Sequence, residues 1–248
     1  MRPLARLGLA LAFFPAAALA GKAAPPKCLL KLEKLNLQDE VPGLTLGNTH
    51  EVYEGEGKLL RGHEPGKDAK ELVDIGVTDV VIFKHPVKRE VEQEIKDLKA
   101  LGIPEERITS IDMPWKDIED IKDPCQKTVQ AVNAMLAVAA TPGRVGYFHC
   151  SAGQDRTGML AGLLRMVTAG WSAEKAFVSE MCAHGYGFGD TTRPANVSKA
   201  VETNLTPIFL QLASQIEGQG LSVASKLSPG LCSAKPKTEL DGSRFKCK

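Results

Sequence analysis

Apolar and polar positions follow two alternating periods along the chain, and each change of period marks an element. NTHEVYEGEGKLLRGHEP (48–65) reads as two short strands around a Gly-containing turn, Glu54 to Gly57. VTDVVIF (77–83) is rich in β-branched residues between turn signals and predicts a buried strand. REVEQEIKDLKALGI follows, with Val91, Ile95, Leu98 and Leu101 at helical spacing and Gly102 to close it. RITSI (107–111) is the next expected strand and leads into the polar loop DMPWKDIEDIKDP. A helix is expected from Asp123 through Val129, Val132 and Leu136 to Ala140, stopped by TPG. The strand RVGYF and a helix from about Arg156 to Ala169 come next. A further helix starts at its N-cap Ser172 and ends at Gly185, and a last amphipathic helix covers roughly Pro194 to Ile216. Strands alternating with helices of this length predict an α/β architecture, a central and mostly parallel sheet flanked by helices.

The two ends of the chain read differently. MRPLARLGLALAFFPAAALA opens with Arg2 and Arg6, continues as an apolar run from Leu7, and closes on the small-x-small pattern Ala18-Leu19-Ala20. That is the pattern of a signal peptide, and the run is too short for a membrane span. Residues 1–20 are therefore expected to be removed on export to a periplasm or beyond the cell, with no stable membrane insertion. Residues 21–45 form an irregular lead-in, 46–217 the folded domain, and 218–248, rich in Ser, Gly, Lys and Pro, a tail without a core. The formal net charge is +1, and loss of the two leader arginines turns it to −1. Such a balance gives no basic excess for holding nucleic acid.

Export permits disulfides, and all six cysteines lie after the leader: Cys28, Cys125, Cys150, Cys182, Cys232 and Cys247. With one kept as a thiol, the remaining five cannot all pair within the chain. Cys232 with Cys247 is the preferred pairing on the view that both lie in a coreless tail, and Cys28 with a tail cysteine is the alternative. The histidines and cysteines show no metal-ligand spacing, so neither a metal nor a cofactor is expected.

The chemistry concentrates in YFHCSAGQDRTGML (147–160). A loop from a buried strand into a helix N-terminus gathers unpaired backbone N–H groups, and the helix dipole makes them an anion site. Gly153 lets the loop Ser151-Ala152-Gly153-Gln154-Asp155 curl around one tetrahedral oxyanion, and Arg156 can grip two of its oxygens. The same field favours the thiolate of Cys150. A thiolate beneath a bound phosphate can attack in line, with Thr157 hydrogen-bonding the sulfur and His149 ordering the backbone beside it.

His149-Cys150-Ser151-Ala152-Gly153-Gln154-Asp155-Arg156-Thr157-Gly158 resembles the signature His-Cys-x5-Arg-(Ser/Thr)-Gly of the cysteine-based protein tyrosine phosphatase superfamily. LLRGHEP and DIGVTDVVIF resemble the opening of its compact dual-specificity branch, and AGWSAEKAFVSEM the helix after its active site. The resemblance implies hydrolysis of phosphotyrosine, and of phosphoserine or phosphothreonine, through a cysteinyl-phosphate with no metal. The partner is then a phosphorylated protein or a small phosphoester.

The family also implies an aspartic acid upstream that protonates the leaving group. The loop offers Asp112, Asp117, Asp120 and Asp123. Asp117 lies 33 residues before the cysteine in MPWKD, which is similar to the family's order of proline, aromatic and acid, and it is the choice here. Asp155, directly before the arginine, resembles instead the loops of myotubularin-like phosphoinositide phosphatases. It is read either as an alternative acid or as half of a structural salt bridge. A phosphoinositide or inositol-phosphate phosphatase is accordingly the second reading, with Lys84, His85, Lys88 and Arg89 as the available cations. A rhodanese-like sulfurtransferase is a distant third.

Overall fold

The computed structural model describes residues 41–248. The expected leader, Cys28 and all but the end of the lead-in lie outside the described residues. Strands β1 (His50–Glu54), β2 (Lys58–Gly62), β3 (Asp79–Phe83), β4 (Ile108–Ile111) and β5 (Val145–His149) form one sheet in the order β1-β2-β5-β3-β4. β1 and β2 form an antiparallel hairpin, and every other neighbouring pair is parallel. β5 therefore lies between two parallel neighbours, and its last four residues are buried. Parallel strands covered on both faces read as continuous apolar runs, which is why DVVIF and VGYF carry no alternation.

The covering helices are α1 (Ala69–Asp74), α2 (Glu90–Ala100), α3 (Lys122–Ala139), α4 (Asp155–Ala169) and α6 (Ala195–Ile216), with a composite helix α5 described below. Successive strand residues point to opposite faces and so feed two cores. Val80 and Ile82 join Leu72 of α1 and Leu98 of α2, whereas Val81 and Phe83 join Val132 of α3, Leu160 of α4 and Phe209 of α6. α1 has no counterpart in the sequence reading. Its single buried turn, anchored by Ala69 and Leu72, is too short to show a period.

α5 starts and stops where expected. The Ser172 hydroxyl oxygen accepts from the Lys175 amide, and Gly185 ends the helix in the left-handed region at φ 86°. Between these caps it changes type, from α over Ala173–Lys175 to π over Ala176–Met181 and a 3-10 turn over Cys182–His184. Widened turns of this kind occur mostly where a helix serves a site.

The segment 218–248 is not a tail without a core. Leu227, Cys232, Phe245 and Cys247 are buried in the same cluster as α3, α5 and α6. The Asn133 side chain both donates to and accepts from the backbone of Leu227, and the Gln211 and Gln215 amides donate to carbonyls of Leu231, Ala234 and Lys235. The phenyl ring of Phe245 meets that of Phe177 edge-on at 5.4 Å. Two disulfides fasten the segment, Cys125–Cys232 and Cys182–Cys247. The expected Cys232–Cys247 pairing is thus corrected: each cysteine packs against a different helix, one on α3 and one on α5. Isolated anchors held by side-chain amides and sulfur leave no periodic trace, so composition alone gave the wrong picture. Among the described residues no helix is long and apolar enough to cross a membrane.

The Cys125–Cys232 bridge closes a loop with a sequence separation of 107. Its removal in a Cys125→Ala/Cys232→Ala double variant should cost about 2–5 kcal/mol. The check is a urea melt without reductant together with limited proteolysis of residues 218–248. An unchanged midpoint would mean that the apolar anchors hold the segment unaided.

Candidate active site

β5 ends at His149 and α4 begins at Asp155, so the signature loop stands at the carboxyl end of the central strand. Gly153 adopts φ 64°, and a Cβ there would lie 2.5 Å from the Gly62 carbonyl oxygen. Only glycine fits both the backbone conformation and this contact with the end of β2. The Gly153 carbonyl accepts from Arg61 Nη2 at 2.5 Å and from Asn48 Nδ2 at 2.8 Å. Because a peptide unit is planar and trans, fixing that carbonyl toward β2 turns the Gln154 N–H the opposite way. The loop is also tied by the Glu64 amide, which donates to the Ser151 carbonyl.

Cys150 lies beneath this loop at 3% exposure and is the free cysteine among the described residues. Its burial pushes the thiol pKa up. The Arg156 guanidinium, then hydrogen bonds from the Thr157 hydroxyl and amide, outweigh that and leave the pKa lowered, with Asp155 opposing weakly. The Cys150 amide itself donates to Thr157 Oγ1 at 2.7 Å, which frees the hydroxyl proton for the sulfur. His149 is fully buried, with Nδ1 3.0 Å from the Cys150 carbonyl oxygen. These contacts bring together the thiol, guanidinium, hydroxyl and imidazole expected from the sequence.

Arg156 donates from Nη1 to the Met113 carbonyl at 2.8 Å, while its Nε is buried with no acceptor among the described residues. The guanidinium therefore links the cysteine loop to the start of the upstream acidic loop and keeps a donor in reserve. Trp115, Ile118 and Ile121 pack that loop onto the core, and Asn204 of α6 donates to the Trp115 carbonyl. Asp117 is exposed at φ 57°, a backbone state that aspartate tolerates better than most residues. Its loop and α6 border an open cavity of about 550 Å³ whose lining includes Asp117, Lys199 and Asn204.

Asp155 is already engaged. Both carboxylate oxygens accept from Arg193 Nη1, at 2.8 and 3.0 Å, and Oδ1 also accepts from the Gly187 amide. Arg193 further donates to the Gln154 side-chain carbonyl. This is the salt-bridge alternative for Asp155, although its partner lies outside the loop. Of the four flanking cations, Lys88 is exposed and has no ion pair among the described residues, and the other three are paired. Lys84 is fully buried, 2.6 Å from a Glu64 oxygen and 3.1 Å from a Glu90 oxygen, rather than solvated. His85 pairs with Asp112, and Arg89 with Glu92.

A second layer of buried charge stands behind the loop. Glu180, on the π-helical part of α5, accepts from Arg61 at 2.9 Å, His50 at 2.7 Å and Arg165 at 3.1 Å. Burial pushes its carboxyl up, but His50, Arg61 and Arg165 together bring it down to about 2. His184 stacks on His50 with ring centroids 4.0 Å apart, and burial followed by the nearby positive groups holds its pKa down at about 3. His50, Glu180 and His184 bring ligand-type atoms within 4.8 Å of one another. Two guanidinium groups already occupy the carboxylate and the imidazoles stack, so the cluster is a charge brace for Arg61 rather than a fit for a metal ion.

Sequence reasoning missed Asn48, Glu94, Glu180 and Arg193. For two of them a signal was present. Glu94 and Glu180 are carboxylates on otherwise apolar helix faces, Glu94 between Val91 and Leu98 and Glu180 beside Phe177 and Met181. Arg61, within LLRGHEP, holds the loop directly through the Gly153 carbonyl.

A family model described as the tyrosine phosphatase family matches residues 55–176. No curated protein matches the sequence. Among solved structures, the chain is similar to the core catalytic domain of the PP-IP phosphatase Siw14 from S. cerevisiae, at 20% identity over 65% of this chain and 87% of that one, with a TM-score of 0.45. It is also similar to the Cydia pomonella phosphatase PTP-2, at 15% identity over 66% and 87%, with a TM-score of 0.43. The third is TpbA of P. aeruginosa, at 23% identity over 64% and 88%, with a TM-score of 0.39.

Glu180→Gln leaves Arg61 buried without its counter-ion and should cost about 3–5 kcal/mol. The pH dependence has a definite sign. A carboxyl depressed in the folded state contributes stability that is complete above the ordinary value of 4.5 and is lost as the pH falls toward about 2. Urea midpoints measured from about pH 6 to about pH 3 should therefore fall less steeply in Glu180→Gln than in the wild type.

Proposed function

We propose, from the signature loop and the match of residues 55–176 to the tyrosine phosphatase family, that the chain is an exported cysteine-based phosphatase hydrolysing phosphotyrosine esters. The observation that carries the mechanism is the free Cys150 buried beneath the signature loop, its amide donating to Thr157 Oγ1 at 2.7 Å and Arg156 standing at the entry to the helix that follows. In the proposed reaction the Cys150 thiolate attacks phosphorus in line, forming the S–P bond as the P–O bond to the phenol breaks. Arg156 and the loop amides of Ser151, Ala152, Gly153, Gln154 and Asp155 hold the non-bridging oxygens. Asp117 gives its proton to the departing phenolate. Its carboxylate then takes a proton from water, which attacks the cysteinyl-phosphate, releasing inorganic phosphate and restoring the thiolate. Thr157 stabilises that thiolate as it leaves.

Charge supports phosphotyrosine over a polyphosphorylated inositol. Ser151, Ala152 and Gln154 are neutral, and Lys84 is buried between Glu64 and Glu90, which leaves Lys88 as the one of the four flanking cations without an ion pair among the described residues. A loop so poor in cations favours one phosphate on an apolar ring over several phosphates on a polar one. The absence of a persulfide role for Asp117 and Thr157 counts against the sulfurtransferase reading. Export is supported by the two disulfides, which persist in oxidising compartments.

Cys150→Ser should abolish turnover while retaining a phosphotyrosyl peptide, and Arg156→Lys should weaken both binding and turnover. Asp117→Asn should lower kcat by about a hundredfold on an alkyl or phenolic leaving group and much less on a strongly acidic phenol. The decisive comparison is kcat/KM for a phosphotyrosyl peptide against a soluble phosphoinositide, measured with reductant. Preference for the inositol headgroup would overturn the substrate assignment, and wild-type turnover by Cys150→Ser would overturn the mechanism.

A further inference from the structure

His149 is the one residue of the signature with an ionisable partner that the reaction above does not use. Its Nδ1 lies against the Cys150 carbonyl oxygen, and its Nε2 is 2.7 Å from Oε1 of Glu94 on α2. The His149 and Glu94 side chains are 0% and 5% exposed. Neither carboxylate oxygen of Glu94 has a hydrogen-bond partner among the described residues, because the short approach to Nε2 lacks hydrogen-bond alignment.

A carboxylate this deep is costly unless a cation stands beside it. Around His149, α2 contributes Glu94, the loop contributes Cys150, and β5 contributes Tyr147, whose ring centroid is 5.7 Å away. Burial keeps the Tyr147 phenol protonated, and its hydroxyl donates to the His63 carbonyl. No lysine or arginine pairs with Glu94 among the described residues, so His149 is the cation available to it.

We propose that Glu94 is a positioning residue that keeps His149 in its doubly protonated, positively charged form, and that this imidazolium in turn stabilises the Cys150 thiolate. The inference rests on the reading of Cys150 as the nucleophile and adds a residue outside the signature to it. The carboxylate's task is then to fix a charge on the imidazole rather than to pass a proton. Electrostatics runs the same way. Burial alone would lower the His149 pKa, yet Glu94 and, more weakly, Cys150 raise it. The attraction between imidazolium and thiolate is reciprocal, so what the sulfur does for the ring the ring does for the sulfur. Glutamine at position 94 preserves shape and can donate to a neutral Nε2, which removes the charge while leaving the Nδ1 contact in place.

The test follows alkylation of Cys150 by iodoacetamide as a function of pH, read on the Cys150 peptide by mass spectrometry, in the wild-type chain and in Glu94→Gln. At about pH 6 the variant should react about tenfold more slowly, and the acid limb of its kcat/KM profile should move to higher pH by the same factor. Glu94→Asp should restore part of the difference. A folded Glu94→Gln with a superimposable alkylation profile would overturn the inference. If that variant does not fold, the ring nitrogens of His149 are followed by NMR in the wild-type protein. Both should carry protons at about pH 7, and a neutral ring there would overturn the inference equally. Failure of the underlying reading looks different: a wild-type Cys150 that titrates as an ordinary thiol near ~8.5 removes the nucleophile itself, and this inference with it.

Discussion

Keeping a sulfur ionised where water hardly reaches it is the constraint on which the rest of this structure depends. Burial opposes the charge on Cys150, and Arg156 and Thr157, with the ordered amides of a short loop, offset that. Those amides act together only while the loop holds one shape. Asn48 and Arg61 impose the shape through a single carbonyl, that of Gly153. Arg61 can sit there unhydrated because Glu180 neutralises it, and Glu180 stays ionised because His50 and Arg165 share it. On the other flank Arg193 clamps Asp155 and Gln154. Buried charges are poor sources of stability taken alone. Here they form linked pairs around a loop that is itself almost uncharged, and the product is a preformed anion site.

Much of this was legible in the sequence because it is local. Period-2 and period-3.6 patterns fix strands and helices within short windows, and Cys150, Arg156 and Thr157 are contiguous with the strand and helix that position them. The two strands β1 and β2 around their turn, the strand β5 and the caps Ser172 and Gly185 all follow from near neighbours, whereas the place of β5 at the centre of the sheet does not. What escaped depends on contacts across long separations. Glu94 meets His149 from another helix, and Glu180 meets Arg61 from across the sheet. Such a pairing shows in one chain only as a charge out of place on an apolar face. The π-helical stretch escaped because widening a helix by one residue hardly disturbs its hydrophobic spacing.

The segment after α6 escaped for a different reason. Its order comes from disulfides, from Asn133, Gln211 and Gln215 binding its backbone, and from one phenylalanine, Phe245, packed against both Phe177 and Phe209. None of these requires an amphipathic element, so a composition rich in Ser, Gly, Lys and Pro hides a packed structure. Lys84 makes a related point: a lysine within a basic stretch need not be on the surface, since it lies wholly inside between two glutamates.

The chain order of the two bridges bears on biosynthesis. Cys232 and Cys247 follow every strand and long helix of the domain, whereas Cys125 and Cys182 lie within it. As the polypeptide emerges from its N-terminal side, Cys28, Cys125, Cys150 and Cys182 all precede Cys232 and Cys247. Coupling of Cys150 to one of the other three is the hazard of that interval. The β5–α4 unit removes it by packing: once Phe148, Leu160 and Leu164 are in the core, Cys150 is enclosed under its loop. The thiol needed for chemistry is then shielded from oxidative coupling by the same fold that activates it.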